Sequence, residues 1–90
     1  MPNLTDMDWN CLPGVAPNPG HYPAGFAVAP CRTAKIEFRG VEQPETLECA
    51  EDDAEFYTVF GLWDFGDGEA LHDDTREECE RRAEMLREFS

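Results

Sequence analysis

Ninety residues with 20 Asp or Glu against 7 Lys or Arg carry a formal net charge of −13, a sign that repels a phosphate backbone and excludes direct nucleic-acid binding. At 41% hydrophobic and 11% aromatic, the chain is too apolar for a disordered acidic tail. Its length suits one domain with a small core and a radius of gyration of roughly 12 Å.

In chain order, residues 1–25 read as an irregular arm. Pro2, Pro13, Pro17, Pro19 and Pro23, with Gly14, Gly20 and Gly25, keep this backbone out of helix and sheet interiors. Trp9, Leu12, Val15 and Tyr22 supply apolar groups that dock the arm on the body. Residues 26–90 read as a single α+β domain. Phe26 to Ala29 is a short strand that Pro30 ends. Ala34 to Arg39 alternates apolar with charged residues, the period of a half-buried strand. Ala34, Ile36 and Phe38 are expected to face the core, and Gly40 closes the element. From Val41 to Ala54 the chain is acidic and interrupted by Pro44, with Thr46 to Ala50 a short edge strand.

Phe56 to Phe65 is the strongest strand, aromatic and β-branched with Gly61 its one weak member. It has two apolar faces: Phe56, Phe60 and Leu62 on one, Tyr57, Val59 and Trp63 on the other. Gly66, Asp67 and Gly68 make the hairpin turn, and Glu69 to His72 returns as the partner strand. Thr75 to Glu78 matches a capping box, in which the Thr75 hydroxyl accepts from the Glu78 N–H and the Glu78 carboxylate reaches back to the Thr75 N–H. The helix then runs to about Phe89 with Cys79, Ala83, Leu86 and Phe89 as its apolar stripe. Arg81, Arg82 and Arg87 fall with Glu80, Glu84 and Glu88 on its solvated face. The fold class is α+β: a small antiparallel sheet of three or four strands with one C-terminal helix packed on one face.

Chemical sites are sparse. Cys11, Cys31, Cys49 and Cys79 contain no C-x-x-C pair, so neither zinc nor any other metal or cofactor is expected, and all four are expected as free thiols. No apolar run approaches the ~20 residues that cross a bilayer. Met1 to Asn10 lacks the basic and apolar regions of a secretory signal, so the expected location is the cytoplasm. Asp64-Phe65-Gly66 in a chain this short has no kinase context. As a calcium loop, the same segment puts Gly66 and Glu69 where a ligand and a glycine are needed. Cys79 and His72 lie in negative surroundings that oppose a thiolate. No nucleophile, base and orienting group stand together, so no enzyme is expected and no catalytic residue is assigned.

The segment His21-Tyr22-Pro23-Ala24-Gly25-Phe26-Ala27-Val28, with Glu55 to Gly61 and Gly68 to Thr75 followed by Cys79, Ala83 and Leu86, resembles small proteins carried by phages and conjugative elements of bacteria. Residues 21–89 carry the likeness, which departs at Asp74, where an apolar residue is commoner, and in the extra acid. A subset of small acidic phage proteins acts as anti-CRISPR inhibitors, several of them on DNA-binding surfaces. The resemblance therefore implies a host bacterial cytoplasm as location and DNA mimicry as mode of action.

The residues themselves point the same way. Between Val41 and Asp74 there are 12 Asp or Glu and no Lys or Arg. Duplex DNA presents one charge per ~1.7 Å of axis, so a basic protein surface built for it also suits dense carboxylates. The partner-binding residues expected on this basis are Glu42, Glu45, Glu48, Glu51, Asp52, Asp53, Asp64, Asp67, Asp73 and Asp74, with Tyr57 and Trp63 as aromatic anchors. The expected partner is a basic nucleic-acid-binding complex such as a CRISPR effector, with no direct contact to nucleic acid or membrane. The alternative is a structural accessory protein of a mobile element, a homodimer through the second apolar face of the Phe56–Phe65 strand, without inhibitory activity.

Overall fold

One 14-residue strand, β1 (Gly25–Phe38), serves two neighbours in succession. The computed structural model describes residues 4–12, 14–64 and 67–89. The distal half of β1, Cys31 to Phe38, pairs antiparallel with β2 (Val41–Glu48). Its proximal half, Gly25 to Cys31, pairs antiparallel with β3 (Phe56–Asp64). β4 (Asp67–Asp74) completes an antiparallel sheet of order β2-β1-β3-β4, and α1 (Arg76–Phe89) packs on β1, β3 and β4. The α+β arrangement read from the sequence, a small antiparallel sheet with one C-terminal helix, is the one observed.

Two prolines expected to break strands do not. β1 runs straight through Pro30, whose carbonyl accepts from the Cys49 N–H at 3.0 Å. Pro30 has no N–H to return, so the ladder to β2 stops there and the chain leaves into a short 3-10 turn at Glu51–Asp53. Pro44 sits opposite Lys35 on the outer strand of the sheet, where a missing N–H costs no ladder bond. β2 therefore starts at Val41 rather than at Thr46. Between β1 and β2, Arg39 and Gly40 have φ of 53° and 79°, the pair of positive values that a two-residue primed turn requires.

The consequence is a ribbon. Beyond Cys31 nothing but β2 flanks β1 in the sheet order, and every β2 residue is exposed except half-buried Leu47. Ile36 and Phe38, expected in the core, are instead 37% and 65% exposed, because the core ends where β3 ends. This projection stretches the molecule to 46 × 27 × 27 Å and its radius of gyration to 13.8 Å.

The core lies between the sheet and α1, where Val59, Leu71, Cys79, Ala83 and Leu86 are fully buried. Leu4, Trp9 and Tyr22 enter the same cluster from the N-terminal segment. Trp9 donates through its indole to the Leu4 carbonyl at 2.9 Å and meets the His72 ring edge-on. Asn10 and Cys11 run along the outer edge of β4. The Asn10 side chain exchanges hydrogen bonds of 2.7 and 2.8 Å with the Asp73 backbone, and the Cys11 N–H donates to the Leu71 carbonyl. That edge is thereby covered.

The helix stripe needs one correction. Phe89 is exposed, and Arg82, assigned to the solvated face, is only 8% exposed. Its guanidinium lies 5.0 Å above the Trp9 ring, donates to the Asp8 carbonyl, and bonds Glu78 at 2.7 Å. A buried guanidinium is tolerated because a ring, a carbonyl and a carboxylate satisfy it. The capping box is half formed: Glu78 N–H donates to the Thr75 hydroxyl at 3.3 Å. The Glu78 carboxylate turns instead to Arg81 and Arg82, and the Thr75 N–H donates to Asp74 Oδ1 at 2.7 Å.

The two glycines of the β3–β4 pair serve close packing. A Cβ on Gly61 would lie 2.6–2.7 Å from the Tyr22 ring, which rests flat on that backbone. A Cβ on Gly68 would stand 2.3 Å from the Gly61 carbonyl. Gly68 and Asp67 belong to β4 rather than to a turn; Gly66, the remaining residue of the expected turn, and Phe65, the expected end of the preceding strand, lie outside the described residues. Gly61→Ala should cost about 1–3 kcal/mol by displacing Tyr22, measured as a lowered denaturation midpoint. A variant as stable as the wild type would disprove the ring-on-backbone contact.

Candidate functional site

The expected partner-binding residues do not form a single patch. Glu48 borders a shallow hollow on the sheet face away from α1, lined also by Ala27, Ala29, Phe60, Leu62 and Gly68. Glu42, an even number of residues away on β2, shares that face, and Glu45 takes the opposite one. Glu51, Asp52 and Asp53 are exposed on the 3-10 turn at the base of the ribbon. Asp64 and Asp67 pair with each other at the far end of the β3–β4 hairpin, about 25 Å of strand from the Phe56 end.

Asp73 and Asp74 are half-buried and already engaged. Asp73 accepts from the buried Thr58 hydroxyl at 2.7 Å. Asp74 Oδ2 meets His72 Nε2 at 2.9 Å. His72 Nδ1 accepts from the Asn10 N–H at 3.2 Å, so the proton sits on Nε2 and is donated to Asp74. The His72 hydrogen bond, with that of the Thr75 N–H, holds the Asp74 carboxyl below the usual carboxylate range.

Most of the remaining acid is uncompensated. Three helix cations find carboxylates within α1: Arg76 bonds Glu80 at 3.1 Å, and Arg81 and Arg82 both bond Glu78; Arg87 donates to the Phe26 carbonyl of β1 at 3.0 Å. Among the described residues, Arg76–Glu51 at 3.5 Å is the one ion pair in which a Lys or Arg reaches an acid of the Val41–Asp74 stretch. Glu42, Glu45, Glu48, Asp52, Asp53, Asp64 and Asp67 have no such partner there.

The two aromatic anchors differ. Trp63 is 43% exposed and stacks on Tyr22 with ring centroids 6.5 Å apart. Tyr57 is half-buried against the core, and its carbonyl accepts from the Cys79 thiol. The hollow around Phe60 and Leu62 lies on the second apolar face of β3, which the sequence offers as a homodimer surface, although neither residue is among the expected partner-binding residues. Helix and N-terminal segment both settle on the Val59 face; on the other face Thr58 and Cys31 are fully buried and Phe60 and Leu62 half-buried.

Nucleophilic chemistry finds no support in this geometry. Burial first, then the Asp73 carboxylate, pushes the Cys11 thiol up to about 12. Burial likewise pushes the Cys79 thiol up to about 11, and thiols held protonated are poor nucleophiles. Burial and the Glu69 carboxylate that accepts its hydroxyl hold the Tyr22 phenol above its ordinary range. Among the described residues, no group of three or more His, Cys, Asp or Glu is placed to hold a metal ion. No helix is long and apolar enough to cross a membrane among the same residues. No protein-family model, curated protein or solved structure matches the chain.

A carboxyl depressed in the fold stabilises it above the usual carboxylate range, and that contribution fades as pH falls through the folded value. Asp74→Asn turns an amide N–H toward the His72 Nε2–H if it keeps the Thr75 bond, so the variant should lose about 1–3 kcal/mol at neutral pH. The gap between wild type and variant should stay constant above about pH 5 and shrink in stronger acid. Chemical denaturation across pH measures it, and a gap independent of pH would refute the Asp74 assignment.

Proposed function

We propose that the chain is a non-enzymatic binding protein that sets uncompensated carboxylates against a basic nucleic-acid-binding protein and blocks it by imitating DNA. The DNA-binding surface of a CRISPR effector is the most specific form of this reading. The observation that carries it is the segregation of charge: Arg76, Arg81 and Arg82 bond glutamates of α1 itself, and, among the described residues, of the exposed acids of β2, the 3-10 turn and the β3–β4 hairpin along a 46 Å body only Glu51 meets a Lys or Arg in an ion pair. Their distribution over both faces and along the length suits a channel that grips a rod from several sides. The hollow at Phe60 and Leu62, with Glu48 on its rim, supplies an apolar contact beside the acidic surface.

Such a complex forms under long-range attraction, so its association should slow by at least about tenfold between about 0.1 and 0.5 M salt. Reversal of four exposed acids, Asp52, Asp53, Asp64 and Asp67, to Lys should abolish it without unfolding the protein. Capture from bacterial lysate at low and high salt, with identification of the bound proteins, is the direct experiment. Recovery of a basic nucleic-acid-binding complex only at low salt is expected. Capture unaffected by salt or by the four reversals would overturn the reading.

A further inference from the structure

At the far end of the β3–β4 pair an exposed indole and two carboxylates share one face. Leu62 pairs with Gly68 and Asp64 with Asp67, so Trp63 is the extra residue of a bulge, and bulges re-aim side chains. Here the indole stacks on Tyr22, with ring centroids 6.5 Å apart, and stays 43% exposed. Tyr22 is itself fixed. Its ring lies on Gly61, where a Cβ would come within 2.6 Å, and its hydroxyl donates to Glu69. Asp67, two residues from Glu69 on β4, shares the face of Glu69. Asp64, directly opposite Asp67, shares it too.

Like charges directly opposite one another destabilise a sheet. Asp64 and Asp67 are both exposed, and among the described residues neither meets a Lys or Arg in an ion pair. We infer that Trp63, Asp64 and Asp67 form a docking site for the guanidinium of an arginine on a partner protein, which stacks on the indole and bonds the two carboxylates. The same recognition already occurs inside the molecule: the Arg82 guanidinium lies 5.0 Å above the Trp9 ring and bonds Glu78 at 2.7 Å. Among the described residues, the other ring beneath a cation is Phe38, under Arg39.

The chemistry selects the occupant. A planar guanidinium stacks on a ring and offers five N–H donors in a fork, enough for both aspartates, whereas an ammonium is a compact point charge. A cation there also relieves the repulsion between Asp64 and Asp67. Nucleic acid is repelled by the same carboxylates, and an apolar occupant would desolvate them unpaired. The site specifies how a basic partner is gripped, and for the class of that partner it rests on the function proposed above.

Two synthetic peptides test the site without the partner: a capped chain of alternating Gly and Arg, and the same chain with Lys for each Arg. The readout is the indole N–H resonance in an NMR titration of the full protein at about 0.15 M salt. The Trp63 indole should shift to saturation, while the Trp9 indole, held by the Leu4 carbonyl, should stay. The Arg peptide should bind at least about threefold more tightly than the Lys peptide, and Trp63→Leu, which changes no charge, should erase that preference. Asp64→Asn with Asp67→Asn should weaken the Arg peptide at least about threefold more than Glu42→Gln with Glu45→Gln, which removes the same charge from the ribbon. An unmoved Trp63 indole, equal affinity for the two peptides, a preference that survives Trp63→Leu, or no greater weakening by the aspartate pair overturns the inference. The first two are read on the wild type, so they decide even where a variant fails to fold. An Arg preference with no basic complex captured from lysate refutes the proposed function and leaves the site standing. Capture without an Arg preference does the reverse.

Discussion

The structure depends on a strand that changes neighbour at Cys31. On one side Cys31 pairs with Phe56, on the other with Glu48, and only around that residue does β1 have a strand on each side. Lengths follow from this handover. A 14-residue helix is about 21 Å long, enough to cover the proximal half of β1 and most of β3. The distal half of β1 extends about 23 Å further with no helix to lie against it. Pro30 fixes the place of the change, since it accepts from Cys49 without donating in return.

The electrostatics depend on choices made within α1. Glu78 takes Arg81 and Arg82 together, and Arg82 in turn fastens the N-terminal segment through Trp9 and Asp8. The Arg81–Glu78 pair, exposed on its cation, contributes little to stability, whereas the buried Arg82 guanidinium needs Glu78 as a partner. Their weight lies in what they withhold: cations engaged on the helix are not available to the sheet. Arg39, at the tip of the ribbon, lies over the Phe38 ring instead of an acid.

The architecture was largely legible, for identifiable reasons. The Phe56–Asp64 strand and the helix after Thr75 follow from aromatic density and a capping residue, which are local signals. The boundaries of β1 and β2 were not legible, because Pro30 and Pro44 read as strand breakers unless one knows where the ladder ends and which edge is outermost. Gly61 and Gly68 looked like a weak point and a turn. Their role is set by Tyr22, distant in sequence, and by each other across the ladder. Arg82 reads as surface for the same reason, since its partner Trp9 arrives from the other end of the chain. The acids were counted correctly from sequence, but their division between two sheet faces and two ends of the body is a product of register. Asp73 and Asp74 were indistinguishable from the free acids until Thr58, Asn10 and His72 were placed beside them.

The open margin of β2 has a further consequence. Its row of unpaired backbone groups is a template onto which another extended chain can stack, and fibrils grow from such margins. Here Pro44 removes one donor, and Glu42, Glu45 and Glu48 make successive layers repel when stacked in register. Those charges act as gatekeepers only while ionised. Near the isoelectric point of about 4.2 the chain as a whole carries no net charge, and repulsion between copies no longer protects that margin.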